Sequence, residues 1–258
     1  MTSPDTSTAA VDIRGASKTY QNGTRALEPI DLSVHEGEFV TIVGPSGCGK
    51  STLLRLIAGL SAPSGGDIAL SEGFRSPRLA YVFQSPTLMP WASVRANVRL
   101  PLDLAGIPRA EADDKTRHAL ERVGLTEFAR SFPRELSGGM QMRASIARAL
   151  VTGSRLLLMD EPFGALDEIT RNRLDREFSE LSARENLTVL FVTHSIYEAV
   201  FLSSRVLVMS PRPGRIHAEV DIDGPRPRPD SFRGTVKFAT HSAQLSEILG
   251  SVMQEAGP

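Results

Sequence analysis

The stretch Gly44–Thr52, GPSGCGKST, determines the fold class of this 258-residue chain. An apolar segment, Glu38–Val43 (EFVTIV), precedes it, and a second apolar segment, Leu53–Leu60, follows it. The spacing fits G-x-x-x-x-G-K-[ST], in which glycines let backbone N–H groups surround phosphate oxygens at a helix N-terminus. A chance glycine turn would not require a strand before it and a helix after it. The stretch therefore predicts a phosphate-binding loop (P-loop) within an α/β domain that has a parallel sheet.

Each residue of this loop is a candidate contact for nucleotide. Lys50 can place a point charge against the β- and γ-phosphates, and the Ser51 hydroxyl is a hard oxygen ligand suited to Mg²⁺. Cys48 has no catalytic part in the motif, and we interpret it as a small residue that fits the loop and could meet thiol reagents. The candidate ATP-binding residues of the loop are Gly44, Pro45, Ser46, Gly47, Cys48, Gly49, Lys50, Ser51 and Thr52.

A carboxylate pair ends a second apolar segment, Leu156–Pro162 (LLLMDEP). A buried strand that ends in Asp160 and Glu161 would place Asp160 near a metal ion and Glu161 near an attacking water. In isolation the pair could equally be a solvated strand end. Because it follows a P-loop, the segment indicates a nucleotide-hydrolysing site.

The segment Leu136–Met140 (LSGGM) precedes a predicted helix. Ser137, Gly138 and Gly139 at a helix N-terminus would form a second anion-binding site. The ordinary interpretation is a serine N-cap followed by turn glycines. From the residues alone, a second phosphate site is a hypothesis.

Hydrophobic periodicity predicts an α/β domain interrupted by helices. Asn22-Gly23 is a turn signal between the first two strands. The predicted strands are Val11–Tyr20, Ile30–Val34, Glu38–Val43, Leu79–Phe83, Arg155–Met159, Leu187–Val192 and Arg205–Met209. The predicted helices are Leu53–Leu60, Ser93–Leu104, Arg109–Val123, Met140–Val151 and Glu168–Glu185. We divide the chain into a flexible tail (1–10), a catalytic core (11–89 and 155–222), a helical subdomain (90–154) and a C-terminal linker with an amphipathic helix (223–258).

Composition restricts the function classes. The formal net charge is −1, so no global basic field would attract nucleic acid. Cys48 is the only cysteine, which excludes an intrachain disulfide and suits a reducing compartment. The apolar runs are strand-length and the N-terminus lacks a secretory signal, so we expect a cytosolic chain that meets a membrane only through a partner.

The order of these motifs resembles the ABC ATPase family. GPSGCGKST is followed by Gln84, LSGGM, LLLMDEP, the Ala165-Leu166-Asp167 loop and finally His194. LSGGM ahead of the acidic strand is specific to that family among P-loop proteins. The resemblance covers roughly Val11 to Ile222. It implies a P-loop NTPase (ABC ATPase) core with a parallel sheet, an N-terminal antiparallel β region and an inserted α-helical subdomain.

The resemblance also implies roles for the polar residues. Glu161 would polarise the attacking water, and Asp160 with Ser51 would hold Mg²⁺. Lys50 and His194 would stabilise charge on the transferring phosphoryl group. The catalytic candidates are Glu161, His194, Lys50 and Gln84, and the candidate metal ligands are Ser51, Gln84 and Asp160.

Two further assignments follow from the resemblance. Tyr20 lies where the family stacks an aromatic ring on adenine, although a tyrosine packed on the core is the alternative. Ser137, Gly138 and Gly139 would bind the γ-phosphate held by a second copy of the chain, and Asp167 would contact that copy. Two ATP molecules would then lie at the interface of a head-to-tail pair.

A separate membrane protein is the other implied partner. Leu88, Met89 and Trp91 lie where a permease subunit docks in the family, although packing within the helical subdomain is the competing interpretation. We expect a peripheral subunit at the cytoplasmic face of the cell membrane, with an external solute-binding protein as an indirect partner. A soluble ABC ATPase of translation or DNA repair is the alternative, but one cassette without a heptad run or basic patch favours a transporter motor.

Longer segments narrow the subfamily. LMPWASVRANVRLPL, FGALDEITR, VLVMSPRPGRI and the later GPRPR resemble the nitrate/sulfonate/taurine importer ATPases. The motor does not touch the cargo, so the sequence leaves the cargo open. After the Pro-rich stretch Asp223–Pro229, the spacing of Leu245, Ile248, Leu249, Val252 and Met253 predicts an amphipathic helix. Capping of the core is the favoured role for that helix, with dimerisation and regulation as alternatives.

Overall fold

Two β-sheets and seven α-helices make up the part of the chain that the computed structural model describes, residues 9–75 and 78–255. The smaller sheet is antiparallel and has the order β2-β1-β4, comprising β1 (Ala9–Thr19), β2 (Arg25–His35) and β4 (Gly65–Leu70). The larger sheet comprises β3 (Phe39–Val43), β5 (Leu79–Val82), β6 (Leu156–Asp160), β7 (Thr188–Val192), β8 (Arg205–Met209) and β9 (Ile216–Asp221).

The larger sheet has the order β5-β6-β7-β3-β8-β9. The pairs from β5 to β8 are parallel, and β9 joins the edge antiparallel to β8. The carboxyl ends of β3, β6 and β7 therefore lie at one edge of the sheet. Those ends carry the P-loop, the carboxylate pair and His194, respectively.

The helices flank this sheet or form a separate layer. They are α1 (Lys50–Ile57), α2 (Val94–Leu104), α3 (Arg109–Arg122), α4 (Gly138–Leu150), α5 (Glu168–Arg184), α6 (Ile196–Leu202) and α7 (Val236–Glu255). Short 3-10 turns lie at Glu72–Phe74, Thr126–Phe128, Pro133–Glu135 and Asp230–Gly234. In the described part of the chain, no helix combines the length and apolar character needed to cross a bilayer.

Alternating side chains of the parallel strands serve two cores. In β7, Val189 and Phe191 pack with residues of α5, α6 and α7, whereas Leu190 and Val192 pack with α1 and the smaller sheet. Both faces of the strand are therefore covered, as expected for a parallel sheet. A third apolar cluster, which includes Val98 and Leu120, holds α2, α3 and α4 together.

Several predicted boundaries were wrong. Ala9 and Ala10 belong to β1 rather than to a flexible tail, while residues 1–8 lie outside the described residues. β2 begins at Arg25 instead of Ile30. α1 covers Lys50–Ile57 rather than Leu53–Leu60, because the P-loop passes directly into the helix. The strands β4 and β9 and the helix α6 were not predicted.

The segment after β9 is more firmly attached than a linker. Arg228 is 1% exposed and donates hydrogen bonds to the carbonyls of Phe201, Ser203 and Ile222 at 2.7–3.0 Å. Leu245 and Val252 of α7 are buried in the core beside α6. The predicted helix thus packs on the core, although Met253 is exposed instead of lying on its apolar face.

Candidate functional site

Lys50 lies at the start of α1, directly behind the P-loop. Its side chain is 6% exposed, and Nζ donates to the carbonyl oxygens of Gly44 and Pro45 at 2.8 and 2.9 Å. These contacts hold the ammonium group across the mouth of the loop. The loop therefore has a fixed cation at the place where a phosphate would enter.

The backbone of the loop requires glycine at position 49. Gly49 has a φ of 111°, a left-handed conformation that L side chains rarely adopt. A Cβ atom there would also lie 2.6 Å from Leu27 Cδ2. Cys48 beside it is 1% exposed, and burial raises the pKa of its thiol although Lys50 opposes the shift. Burial of the thiol argues against the expected access of thiol reagents.

Asp160, at the end of β6, accepts hydrogen bonds from two hydroxyl groups. Ser51 Oγ donates to Asp160 Oδ1 at 2.8 Å, and the Tyr81 hydroxyl donates to Asp160 Oδ2 at 2.9 Å. Both carboxylate oxygens are therefore oriented before any ligand binds. Burial first, and then the Asp160 charge, raise the pKa of Tyr81, so its hydroxyl remains a donor.

Glu161 and His194 meet at the same sheet edge. His194 Nδ1 lies 3.2 Å from Glu161 Oε2, and both side chains are partly exposed. Glu161 has a φ of 48°, an uncommon backbone conformation for a residue with a side chain. Its N–H donates to the Val192 carbonyl at 2.9 Å, which fixes this turn to β7. The turn directs the carboxylate towards the P-loop side of the sheet.

Gln84 lies close to Glu161 and His194, and all three are neighbours of Gly164. A Cβ atom at Gly164 would lie 3.5 Å from His194 Cε1 and 3.7 Å from Gln84 Nε2. It would also lie 3.4 Å from the Glu161 carbonyl oxygen. The predicted residues Gln84, Glu161 and His194 therefore surround one small glycine.

A cavity of about 420 Å³ extends from the loop to Glu161. Tyr20 is 39% exposed at its wall, and the Tyr20 hydroxyl lies 3.1 Å from Thr52 Oγ1. The walls are Tyr20, Asn22, Thr24, Ala26, Ser46, Gly47, Gly49, Lys50, Ser51, Thr52, Glu161 and Arg212. The cavity is mainly polar, and its walls include two cations, Lys50 and Arg212, and one carboxylate, Glu161.

The LSGGM residues lie elsewhere. Ser137 is the N-cap of α4 and accepts a hydrogen bond from Met140 N at 3.3 Å. A Cβ atom at Gly138 would lie 3.2 Å from Leu166, and one at Gly139 would lie 2.8 Å from Thr170. These residues contact the start of α5 and are not among the walls of the cavity. The ordinary interpretation of Ser137 as an N-cap is therefore correct, and it is compatible with an additional role.

The exposed segment after Gln84 is held in place by Asn97. Asn97 is fully buried, accepts from Met89 N at 2.6 Å and donates to the carbonyls of Met89, Ala92 and Ser93 at 3.1 Å. Leu88 packs against the helical core, whereas Trp91 is 77% exposed. Core packing thus explains Leu88 but not Trp91.

Three residues of this region had no role in the sequence-based interpretation. Tyr81 was passed over because it lies in a plain strand, and its contact with Asp160 depends on the pairing of β5 with β6. Asn97 and Arg212 act through contacts with loops that are distant or irregular. Only Asn97 had a signal in the sequence, because it is a polar residue on the face of α2 that carries Val94 and Val98.

The ABC transporter family model matches residues 27–164, more than half of the chain. The chain belongs to the ABC transporter family. A taurine import ATP-binding protein, TauB of Rhizobium johnstonii, is 43% identical over 238 residues, covering 91% of each chain. An aliphatic sulfonates import ATP-binding protein, SsuB of Bacillus cereus, is 42% identical over 225 residues, covering 84% of this chain and 88% of the relative.

A solved structure agrees with the fold. The dimeric, post-hydrolysis ATP-binding cassette MJ0796 bound to ADP and Pi has a TM-score of 0.71 and 31% identity, covering 83% of this chain and 99% of that one. The predicted ABC ATPase fold, with its parallel sheet and antiparallel β region, is therefore confirmed. As an ABC ATPase, the chain binds ATP and hydrolyses it.

Proposed function

We propose that the chain is the motor subunit of an importer for a small sulfonate-, taurine- or nitrate-like solute. The names of the two import relatives support this class of cargo, and their similarity extends over more than four-fifths of the chain. The motor hydrolyses ATP at the cytoplasmic face of the membrane, and a separate permease carries the solute. A solute-binding protein outside the membrane delivers the cargo to that permease.

The contact between Glu161 and His194 beside the P-loop carries the catalytic assignment. Glu161 accepts a proton from the attacking water, and its unusual φ directs it to the cavity. Lys50 and His194 stabilise the charge on the transferred phosphoryl group. This work is positioning and electrostatics rather than covalent chemistry.

The oxygen atoms around Asp160 fit Mg²⁺. Among the described residues, no cluster of three or more His, Cys, Asp or Glu side chains could hold a metal. Mg²⁺ does not need one, because it is usually held by one or two carboxylates together with phosphate oxygens and water. Ser51, Asp160 and Gln84 would supply the protein oxygens, and the ion would neutralise phosphate charge. The Ser51–Asp160 hydrogen bond at 2.8 Å keeps two of these oxygens together.

Tyr20 stacks on the adenine ring in this proposal. Its ring lies at the cavity wall, 39% exposed, and its hydroxyl is tied to Thr52 at the end of the loop. A tyrosine packed into the core would be buried. In this proposal the adenine lies against Tyr20 and the phosphates lie against the P-loop.

Ser137, Gly138 and Gly139 complete the site of a second copy. They stand at the N-terminus of a 13-residue helix, where backbone N–H groups and the helix dipole favour an anion. Because they lie outside this chain's own nucleotide cavity, the γ-phosphate they bind belongs to the other copy. A head-to-tail pair satisfies both half-sites, and the dimeric cassette among the solved structures supports that arrangement.

The Ser137→Arg variant tests the shared site. Arginine places bulk at the interface, so we expect ATP hydrolysis to be nearly abolished while ATP binding to the chain's own P-loop persists. Ser93→Arg is the matched control. Ser93 is the N-cap of α2 as Ser137 is the N-cap of α4, so both variants lose a comparable helix cap. Steady-state ATPase assays and nucleotide titrations measure the two effects. Wild-type turnover by Ser137→Arg contradicts the shared site.

Trp91 and Met89 form the docking surface for the permease, with Leu88 supporting them from the helical core. Trp91 is 77% exposed on a segment that Asn97 fixes through four hydrogen bonds. An exposed indole on a rigid segment suits an apolar groove for a partner helix.

The Trp91→Glu variant separates docking from hydrolysis. We expect the isolated chain to keep its ATPase activity, whereas uptake by the assembled transporter is lost. Leu104→Glu is the control, since Leu104 is 79% exposed in the same helical layer but lies at the opposite end of α2 from the docking surface. Normal uptake with Trp91→Glu, or unfolding of the isolated variant, would exclude this docking surface.

A further inference from the structure

The turn between β8 and β9, residues 210–215, is attached to the P-loop and to β2. Gly214 N donates to the Ala26 carbonyl and Glu28 N donates to the Gly214 carbonyl, each at 2.9 Å. A Cβ atom at Gly214 would lie only 2.0 Å from the Cys48 carbonyl oxygen, so glycine alone allows this close approach. The turn is therefore a fixed wall of the nucleotide cavity.

Arg212 is the side chain that this turn presents to the P-loop. Its Nε and Nη2 donate to the Gly47 carbonyl at 3.2 and 3.1 Å. It lines the same cavity as Lys50, and these are the two cations among the described residues that form its walls. Within residues 9–75 and 78–255, no carboxylate forms an ion pair with Arg212.

We propose that Arg212 is a nucleotide-binding residue that donates hydrogen bonds to the polyphosphate of ATP. The guanidinium has further N–H donors beyond those on the Gly47 carbonyl, and arginine binds phosphate oxygens through charge-assisted hydrogen bonds. Its bond to Gly47 holds the charge at the loop before nucleotide enters. Lys50, already engaged with two carbonyls, then shares the phosphate charge with a second cation.

A purely structural role is the competing explanation. In that case the planar fork of Arg212 would only brace the Gly47 carbonyl, and the charge would have no contact with nucleotide. Lysine distinguishes the two roles, because it keeps a charge that can reach an anion but loses the planar fork.

The test compares Arg212→Gln with Arg212→Lys by displacement of a fluorescent ATP analogue. The competitors are ATP and inorganic triphosphate, which has no base or ribose. We expect Arg212→Gln to weaken both by roughly 10-fold, which is the scale of one charge-assisted hydrogen bond. Arg212→Lys should retain most of the affinity. Arg215→Gln, on the same turn but outside the cavity walls, makes the same charge change and should bind as the wild type.

The proposal rests on the nucleotide site proposed above, and Lys50→Ala reports on that site separately. If Lys50→Ala binds both competitors normally, the P-loop assignment itself fails. If Lys50→Ala is impaired but Arg212→Gln binds triphosphate as the wild type does, the Arg212 assignment alone is overturned. It is also overturned if Arg212→Lys loses as much affinity as Arg212→Gln, or if Arg212→Gln cannot fold, because bracing then explains the residue.

Discussion

Asp160 illustrates how the site is prepared at the scale of single residues. The carboxylate accepts one hydrogen bond from Ser51 and another from Tyr81, so neither oxygen is free to rotate. Ser51 belongs to the P-loop motif. Tyr81 lies in β5, 79 residues before Asp160 in the chain. Orientation of a metal-binding carboxylate by such an outer partner typically affects both metal affinity and rate.

Replacing Tyr81 with Phe should impair the use of Mg²⁺. The variant keeps the ring but removes the donor to Asp160 Oδ2. We expect the Mg²⁺ concentration for half-maximal ATPase activity to rise roughly 10- to 100-fold, the scale of losing an outer partner of a metal ligand. Tyr197→Phe, which removes a hydroxyl from an exposed tyrosine of α6, is the control. An unchanged Mg²⁺ requirement would show that Tyr81 does not position Asp160.

Replacing Glu161 with Gln should separate binding from hydrolysis. Glutamine keeps the size of the side chain but cannot accept the proton of the attacking water. We expect ATP hydrolysis to fall by at least ~10², as for loss of a general base, with ATP affinity retained. Glu180→Gln on the exposed side of α5 is the control. Turnover near the wild-type rate would remove Glu161 from catalysis.

Elements with strong local signals were predictable, and short edge elements were not. β3 was predicted because four of its five residues are apolar and the P-loop follows at once. β4 begins with Gly65-Gly66 and is largely exposed, so its sequence has no pattern typical of a strand. It is a strand because it pairs with β1. α6 has only seven residues and almost all of them are buried, which leaves no amphipathic pattern. Its position depends on α7, far along the chain.

The same distinction holds for the site. Lys50, Ser51 and Glu161 were placed from motif and order, because a parallel sheet brings strand ends together. Tyr81 and Arg212 were missed because their roles depend on which strands become neighbours and on a turn that folds back over the loop. Such contacts have no local periodicity. They become visible only when the sheet order is known.

The C-terminal segment joins α5 and α6 through buried charges. Arg233 Nη2 donates to Asp175 Oδ2 at 2.8 Å, and Arg171 lies 3.5 Å from Glu198. Glu198 also accepts a hydrogen bond from Thr193, the residue before His194. Arg233 therefore pairs the C-terminal segment with α5, and Arg171 pairs α5 with α6, the helix that follows His194.

Asp175 should make the stability of the protein depend on pH. Burial and the nearby Glu198 charge raise the pKa of Asp175 to about 7, and Arg233 offsets only part of that rise. Between the ordinary pKa and 7 the folded chain holds a proton that the unfolded chain releases, so stability falls as the pH rises through this window. We expect the Tm to decrease between about pH 4 and pH 7, and Asp175→Asn to flatten that decrease.

Asp230→Asn is the control for this measurement. Asp230 is an exposed carboxylate of the C-terminal segment, and it pairs with Arg176 of α5. The control variant should leave the slope of Tm against pH unchanged. An Asp175→Asn variant with the wild-type slope would exclude Asp175 as the titrating group.

At the scale of the whole molecule, the proposal gives one chain two half-sites for phosphate. The P-loop with Lys50 lies at the carboxyl edge of the parallel sheet, and Ser137 lies on the helical layer outside that cavity. Two copies in head-to-tail order would close both sites at once, because the same two surfaces meet twice.

The mass of the Glu161→Gln protein in solution tests this arrangement most directly. This variant binds ATP but cannot consume it, so the closed state accumulates. Light scattering after size-exclusion chromatography should give two chain masses with ATP and Mg²⁺, and one chain mass with ADP and Mg²⁺. Adding Ser137→Arg to Glu161→Gln should return the ATP-bound protein to one chain mass. A Glu161→Gln protein that is saturated with ATP and still has the mass of a single chain would contradict the shared site.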